Sequence, residues 1–482
     1  MLRTFLIFIL LGATPGMVLA ASGSVKQASK LLDRNYYESA AAMLRAGVSD
    51  GDAASVSFLL GRAYLRDAQL QTALQRSSLA AGTRYLQRLA GQGGRERSRY
   101  AALYYGEYLI ESGRKQEGIA KLQQFMTQTE IGKGHRQIAE IRLASATGSA
   151  LPNDANLEAE AKTELAAALS RSAGKQNAAV ALLEGALGGL RKNGAALPMR
   201  AITNALAVYT RAGQYDKALA LVGKEDLGRA SFQETLSKSK TLRFYDATLM
   251  GNLAALYQAA GEQQMERARG DARLKAIVSY MLADAYLVQG RADKAGVQLA
   301  QLSGDSALPA TYRERLAMMQ AAVDARGTQA QKGNAAFTAL SAKHSQDPVL
   351  LGELLIICVQ AKAKCGAVAG AAQALANSGQ GERFRGLHRA IGMMHAEAGR
   401  QERALQYLET ARDKSNKNRI DTNDPLLLVQ LADLHMAAKS FSENLEIYFE
   451  LSKEFPAVRQ LQELGQGIYS VEYRSAGDVK IF

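Results

Sequence analysis

The stretch Met281–Leu299, MLADAYLVQGRADKAGVQL, is the segment from which the fold can be predicted. Its apolar and small residues recur every three or four positions on both sides of Gly290, which is typical of two short helices joined by a glycine turn. Ala283 and Ala295 fall where two antiparallel helices would come closest. Bulky residues one turn later, such as Tyr286, would fill the layer between neighbouring helix pairs. The stretch therefore predicts a helix hairpin.

The same spacing of small, bulky and turn residues recurs about ten times along the chain, and a repeat on this scale predicts a solenoid. The further copies comprise Gly392, His395, Gly399, Ala404, Leu408 and Ala411; Ala432, His435, Lys439, Asn444, Tyr448 and Pro456; Gly61, Tyr64, Ala68 and Ala73; Gly106, Leu109, Gly113 and Leu122; Ala28, Leu31, Asn35, Ala40 and Leu44; Ala167, Gly174, Ala179, Leu183 and Ala186; Leu206, Tyr209, Gly213 and Ala218; Ala254, Tyr257 and Gly261; Ala336, Leu340 and Pro348; and Gly366, Ala371 and Leu375.

This pattern resembles the tetratricopeptide-repeat (TPR) family over nearly the whole chain after residue 20, and in particular its exported, periplasmic members. The resemblance implies an all-α fold, a right-handed superhelical solenoid of TPR-like helix hairpins. We expect N-terminal repeats over 21–145, middle repeats over 146–310 and C-terminal repeats over 311–464. The tail 465–482 lacks a helical pattern and is expected to be non-helical.

The N-terminal sequence is typical of a secretory signal. Arg3 precedes the apolar run Phe5–Leu11, and Val18–Ala20 has the small-residue spacing of a signal-peptidase site. The run is shorter than the roughly 20 residues that span a bilayer, so we expect residues 1–20 to be cleaved rather than to form an anchor. No later segment has a membrane-spanning pattern. The expected mature protein is soluble and periplasmic.

The formal net charge of +13 is spread along the chain without a dense basic tract. It is typical either of a solvated basic surface or of attraction to an anionic partner such as an acidic polysaccharide. No nucleic-acid-binding motif occurs, and export disfavours a nucleic-acid partner.

The sequence lacks several common catalytic and cofactor motifs, namely HExxH, CxxCH and the phosphate-binding GxxxxGK[ST] loop. His388 and His395 lie two helical turns apart, about 10 Å, which is too far for one metal ion. His395 and His435 fall at bulky packing positions. We therefore expect no metal, no cofactor and no enzymatic activity.

Cys358 and Cys365 are the only two cysteines. An oxidising compartment favours a disulfide. On one continuous helix their Cα atoms would lie about 10 Å apart, beyond the roughly 7 Å limit for a disulfide. If the helix ends early, near Gly366, the pair can form. A disulfide and two unbonded thiols both remain open from the sequence.

The resemblance to the TPR family implies that first helices of the hairpins line a concave face, where extended peptides lie. The Lys/Asn carboxylate clamp of chaperone-binding members is not recognisable. We expect partner binding by the residues at the corresponding positions, which are Arg62, Arg66, Tyr100, Glu107, Arg171, Arg200, Arg211, Tyr280, Asp284, Arg389 and Met393.

Arginines interspersed with tyrosines would suit carboxylates and extended ligands. The leading functional hypothesis is a periplasmic scaffold or adaptor that mediates protein–protein interactions in a cell-envelope assembly, in secretion, pilus, outer-membrane or polysaccharide-export machinery. The alternative is direct binding of an anionic polysaccharide. A divergent hydrolase is a third hypothesis, less favoured because the metalloprotease motif HExxH is lacking.

Overall fold

The structure is a computed structural model, and its description covers a defined set of residues. These are residues 23–46, 53–91, 96–192, 197–224, 233–236, 240–243, 247–302, 308, 310–378, 384–412 and 424–454. The signal peptide predicted for 1–20 and the tail predicted for 465–482 lie outside them.

The helices belong to two compact units. The first unit lies within Met1–Gln69 and Ala260–Ser440, and the second within Leu70–Ala259 and Phe441–Phe482. Each unit combines two segments that are separate in sequence. The three consecutive blocks of repeats stay a prediction.

The described elements of the first half of the chain are α1 Gly23–Asp33, α2 Tyr37–Arg45, α3 Ala53–Gly91, α4 Glu96–Glu111, α5 Lys115–Met126, α6 Lys133–Thr147, α7 Ala159–Leu169, α8 Gln176–Arg191, α9 Met199–Arg211, α10 Tyr215–Lys224, and strands β1 Gln233–Leu236 and β2 Lys240–Arg243. The remaining elements are α11 Ala247–Arg269, α12 Lys275–Val288, α13 Ala292–Ala300, α14 Ala310–Arg326, α15 Ala330–Lys343, α16 Pro348–Gln360, α17 Gly366–Ala376, α18 Arg385–Glu397, α19 Gln401–Arg412, α20 Pro425–Ala437 and α21 Phe441–Glu454. The predicted all-α helical repeat fold is confirmed, with one addition: β1 and β2 form a short antiparallel hairpin.

Glycine turns produce the hairpins at the predicted places. Gly290 has a φ of +79° and ends α12, a conformation that glycine adopts without the penalty of a Cβ atom. The amide of Gly290 donates to the carbonyl of Leu287 at 2.9 Å. The amide of Arg291 donates to the carbonyl of Tyr286 at 2.8 Å. The same left-handed conformation follows α4, α7, α9 and α18, at Gly113, Gly174, Gly213 and Gly399.

Small residues allow the two helices of a hairpin to touch. Ala283 and Ala295 are fully buried between α12 and α13. Between α4 and α5, a Cβ atom added to Gly118 would lie 2.6 Å from the carbonyl oxygen of Gly106. The predicted close-approach residues Ala283, Ala295 and Gly106 are therefore confirmed, and Gly118 is the partner of Gly106.

Two predicted hairpins are wrong, because each is one long helix. The turn expected near Ala68 lies inside α3, and the turn expected at Gly261 lies inside α11. Ala68 continues a helix at little cost, and no proline interrupts either segment. Gly261 instead permits contact between helices: an added Cβ would lie 3.2 Å from the carbonyl oxygen of Gly61, and the converse distance is the same.

The repeat predicted from Ala336 and Leu340 begins three residues earlier in the structure. A Cβ atom added to Gly333 would lie 2.3 Å from the amide nitrogen of Ala325, so Gly333 is the close-approach residue. Phe337, one turn later, is fully buried and fills the bulky position, whereas Leu340 is only half-buried. Glycine was overlooked because alanine also fits the pattern.

Candidate partner-binding site

Four helices of the second unit bring charged side chains together in a buried ionic cluster, which consists of Glu107, Arg142, Glu164 and Arg200. The two guanidinium Nη atoms of Arg200 on α9 donate to the two carboxylate oxygens of Glu107 on α4, at 2.8 and 3.1 Å. Arg142 on α6 lies 2.7 Å from Glu164 on α7 and 3.4 Å from Glu107. Arg200 also lies 3.5 Å from Glu164. The cluster thus joins helices that are far apart in sequence.

Mutual attraction keeps this cluster ionised despite its burial. Burial acts to lower the pKa of Arg200, but Glu107 and Glu164 outweigh it and raise that pKa. Burial acts to raise the pKa of Glu164, but Arg142 and Arg200 lower it. The amide of Asn204 adds a 3.2 Å hydrogen bond to the Glu164 carboxylate. Each charge is therefore stabilised by a partner, and removal of one would leave the others buried and uncompensated.

The other predicted binding residues of the second unit contact nearby helices. The hydroxyl of Tyr100 accepts a hydrogen bond from the amide of Gly132 at 3.3 Å, and its ring packs against His135 at 4.6 Å between centroids. Arg211 donates to the carbonyl of Ala167 at 3.2 Å. Arg171 donates to the hydroxyl of Ser145 at 3.0 Å.

In the first unit, three of the predicted residues line one cleft. We call it the Asp284 cleft; it is lined by Arg62, Leu65, Arg66, Gln69, Met265, Met281, Asp284 and Ala285. The α3 residues follow one another at helical spacing on one face of that helix. Met265 comes from α11, and Met281 and Asp284 come from α12. The repeat pattern therefore placed Arg62, Arg66 and Asp284 on a shared surface.

The arginines beside the cleft are engaged by the chain itself. Arg62 is almost fully buried and lies 3.1 Å from the carboxylate of Asp33. Arg66 donates to the side-chain oxygen of Gln69 at 3.1 Å. Farther along the unit, Arg389 pairs with Asp424, which also caps α20. Carboxylates of the chain thus balance the charges of Arg62 and Arg389, whereas the printed partner of Arg66 is a neutral amide.

Tyr280 is a buried packing residue. Its ring meets that of Tyr312 edge-on, with 4.7 Å between centroids, and the guanidinium of Arg315 lies 5.7 Å from its centroid. Arg315 in turn lies 3.1 Å from the carboxylate of Glu353. Met393 on α18 is half-buried.

The histidines are packing residues in the described structure. The ring of Tyr407 stacks with that of His388 at 5.9 Å and with that of His395 at 5.6 Å. His435 lies 2.9 Å from the carboxylate of Glu409. In the part of the chain that the structure describes, no group of three or more His, Cys, Asp or Glu side chains could hold a metal ion.

The structure joins Cys358 and Cys365 in a disulfide. The helix that carries Cys358 ends at Gln360, and Cys365 is the last of the five residues between this helix and the next, which begins at Gly366. The Cα atoms consequently lie 5.9 Å apart, within the range of a disulfide. The two residues do not share a continuous helix, which was the arrangement that would have separated them.

Several contributors were missed in the sequence. Arg142 and Glu164 belong to helices around α6, where an irregular connection over 148–158 replaces a second helix and the repeat spacing fails. Met265 and Met281 carry no recognisable signal beyond their apolar character. Helix-face periodicity could have placed Glu164 opposite Arg200, but not at contact distance.

No family model matches the sequence, and no curated protein matches it. Among solved structures, the chain is similar to yeast Tom70, with 11% identity over 94% of this chain and 95% of that chain and a TM-score of 0.31. It is also similar to the APC/C hetero-tetramer Cut9-Hcn1, with 13% identity, 92% and 97% coverage and a TM-score of 0.26. A third similarity is to Naa15/Naa10 bound to HypK-THB, with 14% identity, 94% and 76% coverage and a TM-score of 0.24. At these TM-scores the similarities carry no functional argument.

None of the described helices is both long and apolar enough to cross a bilayer.

Proposed function

We propose that this chain is an exported, periplasmic adaptor that binds other proteins within a cell-envelope assembly. Secretion, pilus, outer-membrane and polysaccharide-export machineries are the candidate settings. Export is supported by the signal-like residues 1–20 of the sequence. Protein binding is supported by the repeat architecture, because stacked hairpins present extended surfaces to other chains.

The observation that carries the proposal is how side chains gather from separate repeats. Arg62 on α3 and Asp284 on α12 lie more than two hundred residues apart in sequence and line one cleft. Such a surface is suited to recognising several groups of another polypeptide at once.

Three of the six arginines predicted for the binding face argue against the polysaccharide alternative, whereas Arg66, Arg171 and Arg211 bond to neutral groups. Arg62, Arg200 and Arg389 each have a carboxylate partner within the chain. A polyanion would have to compete with these carboxylates. No described group favours hydrolysis over binding.

In-cell photo-crosslinking tests the proposed function. A photoreactive residue is placed at Met393, on the predicted binding face, and for comparison at Val297, which is 59% exposed on α13. We expect reproducible protein adducts in the periplasmic fraction, attached to a chain that begins near Ala21. A membrane-bound chain that retains Met1 contradicts export. The absence of protein adducts, or adducts with glycan alone, contradicts the adaptor function.

A further inference from the structure

Two exposed arginines of the second unit converge at the ends of three helices, and we call them the Arg171–Arg211 pair. Arg171 lies two residues beyond the end of α7, and its Nη1 atom donates to the hydroxyl of Ser145 in the last turn of α6, at 3.0 Å. Arg211 is the last residue of α9. Its Nη1 atom donates to the hydroxyl of Ser170, the residue before Arg171, at 2.9 Å. Neutral oxygens thus hold the two guanidinium groups near each other.

Each of these guanidinium groups keeps most of its hydrogen-bond donors for a ligand. A guanidinium carries five N–H donors. The Nη1 atom of Arg211 also donates to the carbonyl of Ala167, but neither arginine forms an ion pair with a carboxylate among the residues that the structure describes. The Nε and Nη2 atoms of each group can therefore donate to both oxygens of a carboxylate, which is a strong form of arginine hydrogen bonding.

The local charges leave the pair with a net repulsion. Burial and then Arg171 lower the pKa of Arg211. Arg142 lowers this pKa further, whereas Glu111 opposes both arginines. Glu111 and Glu164, the carboxylates that act on the pair from a distance, lie 3.8 and 2.7 Å from Arg142. A carboxylate in contact with both members of the pair would therefore relieve a repulsion as well as form ion pairs.

We infer that the Arg171–Arg211 pair binds an Asp or Glu side chain from a segment of a protein partner. Both guanidinium groups are exposed at the ends of their elements. A segment that passes over the surface can thus reach them with a side chain, and a free chain end is not required. The inference rests on the proposed protein-binding function and names the chemistry that the partner supplies.

Charge complementarity selects this occupant over a basic one, because a third positive charge beside the pair would oppose binding. An acidic polysaccharide carries carboxylates at regular intervals and gains most from a row of available cations. Of the three arginines predicted for the binding face in the second unit, Arg200 is already paired with Glu107, which leaves two. A single pair favours a segment with one or two carboxylates. A polysaccharide is the alternative that the experiment must be able to reveal.

Peptide selection on the full chain tests the inference. Random displayed peptides of about twelve residues, joined to their carrier through the C-terminal end, are selected on the native chain and on the double variant Arg171→Gln/Arg211→Gln. We expect the native selection to enrich Asp or Glu, and the double variant to lose this enrichment. A synthetic, amidated copy of the enriched peptide should bind the double variant at least about tenfold more weakly, as expected for loss of charge-assisted hydrogen bonds.

The matched control is Arg76→Gln/Arg84→Gln, because both arginines are exposed on α3 in the second unit and their loss removes the same two charges. Its affinity for the peptide should stay within about twofold of the native value, since surface charges outside the contact contribute little. Exchange of the acidic residue of the peptide for its amide should weaken binding to the native chain at least about tenfold. The same exchange should change binding to the double variant by under about twofold, because the two changes remove one interaction.

Melting curves establish that each variant is folded. If the double variant does not fold, Arg171→Gln replaces it, because this exposed side chain makes one hydrogen bond, to Ser145. The single variant should bind the peptide at least about threefold more weakly than the native chain. Binding of polygalacturonate, an acidic polysaccharide, is measured on the same proteins.

Enrichment of basic or uncharged peptides, equal binding by the double variant, or an equal loss in the control would each overturn the inference. Binding of polygalacturonate that depends on the pair, in place of acidic peptides, would overturn the protein partner. A requirement for a free C-terminus would overturn the side-chain carboxylate. The proposed function is tested separately: protein adducts at Met393 without acidic peptides at the Arg171–Arg211 pair would retain the adaptor and reject this pair as its site. Failure of both experiments would reject both.

Discussion

The two units use charged residues at equivalent predicted positions in opposite ways. In the second unit, Glu107 and Arg200 contact each other and belong to a buried ionic cluster. In the first unit, Asp284 lies at the rim of a cleft without an ion-pair partner in the described residues. A repeat pattern therefore assigns a residue to a face, but the side chains that meet it there decide whether it is built into an ion pair.

The largest expected effect concerns the buried cluster. Arg200→Met should lower the free energy of unfolding by about 3–5 kcal/mol, because Glu107 and Glu164 would stay buried without a full complement of cations. Urea unfolding measures the change. The control is Arg171→Met, because Arg171 is exposed. This substitution should change the free energy of unfolding by under about 0.5 kcal/mol. A loss below about 1 kcal/mol for Arg200→Met would show that the cluster is solvated.

The corrected repeat frame of the first unit predicts the next effect. Gly333→Ala should cost about 2–3 kcal/mol, because its Cβ would lie 2.3 Å from the backbone nitrogen of Ala325. Gly370→Ala on α17, where an added Cβ meets nothing within 4 Å, should instead stabilise by about 0.5–1 kcal/mol. Thermal melting compares the two. Equal effects would mean that α14 and α15 do not touch at Gly333.

Beside the ionic cluster, His135 predicts a smaller, pH-dependent effect. Burial and then Arg200 lower the pKa of His135 to about 4, although Glu107 opposes them. Because the folded pKa lies below the unfolded value of 6.5, the contribution to stability is fully present above pH 6.5. It is lost as the pH falls towards 4.

The loss should be about 1–2 kcal/mol after allowance for partial exposure. Unfolding of the native chain and of His135→Gln at pH 7 and pH 4.5 isolates this part of the acid dependence. A difference between the two proteins that does not change with pH would contradict the lowered pKa.

Local chemistry explains which parts of the fold could be predicted. Gly290 and Gly399 adopt left-handed turns that few other residues adopt, so the hairpins around them were readable from the sequence. Ala68 gives no such signal, and the long α3 was missed because an alanine fits both a loose turn position and a helix interior.

The site was only half predictable for a similar reason. Helical spacing placed Arg62, Glu107 and Asp284 on faces of first helices. Their partners come from residues distant in sequence: Asp33 meets Arg62, and Arg200 meets Glu107. Such pairings depend on how successive hairpins stack, which a one-dimensional pattern does not encode.

The contrast between the units is tested most directly by Glu107→Gln and Asp284→Asn measured side by side. Each variant removes one carboxylate charge and keeps the side-chain shape. Glu107→Gln should lose about 3 kcal/mol of unfolding free energy, because Arg200 would stay buried without the charge of its main carboxylate partner. Asp284→Asn should lose under about 0.5 kcal/mol of unfolding free energy, because Asp284 is half-buried and forms no ion pair with a described residue. Equal losses of unfolding free energy in the two variants, or a larger loss in Asp284→Asn, would contradict the difference between the two units.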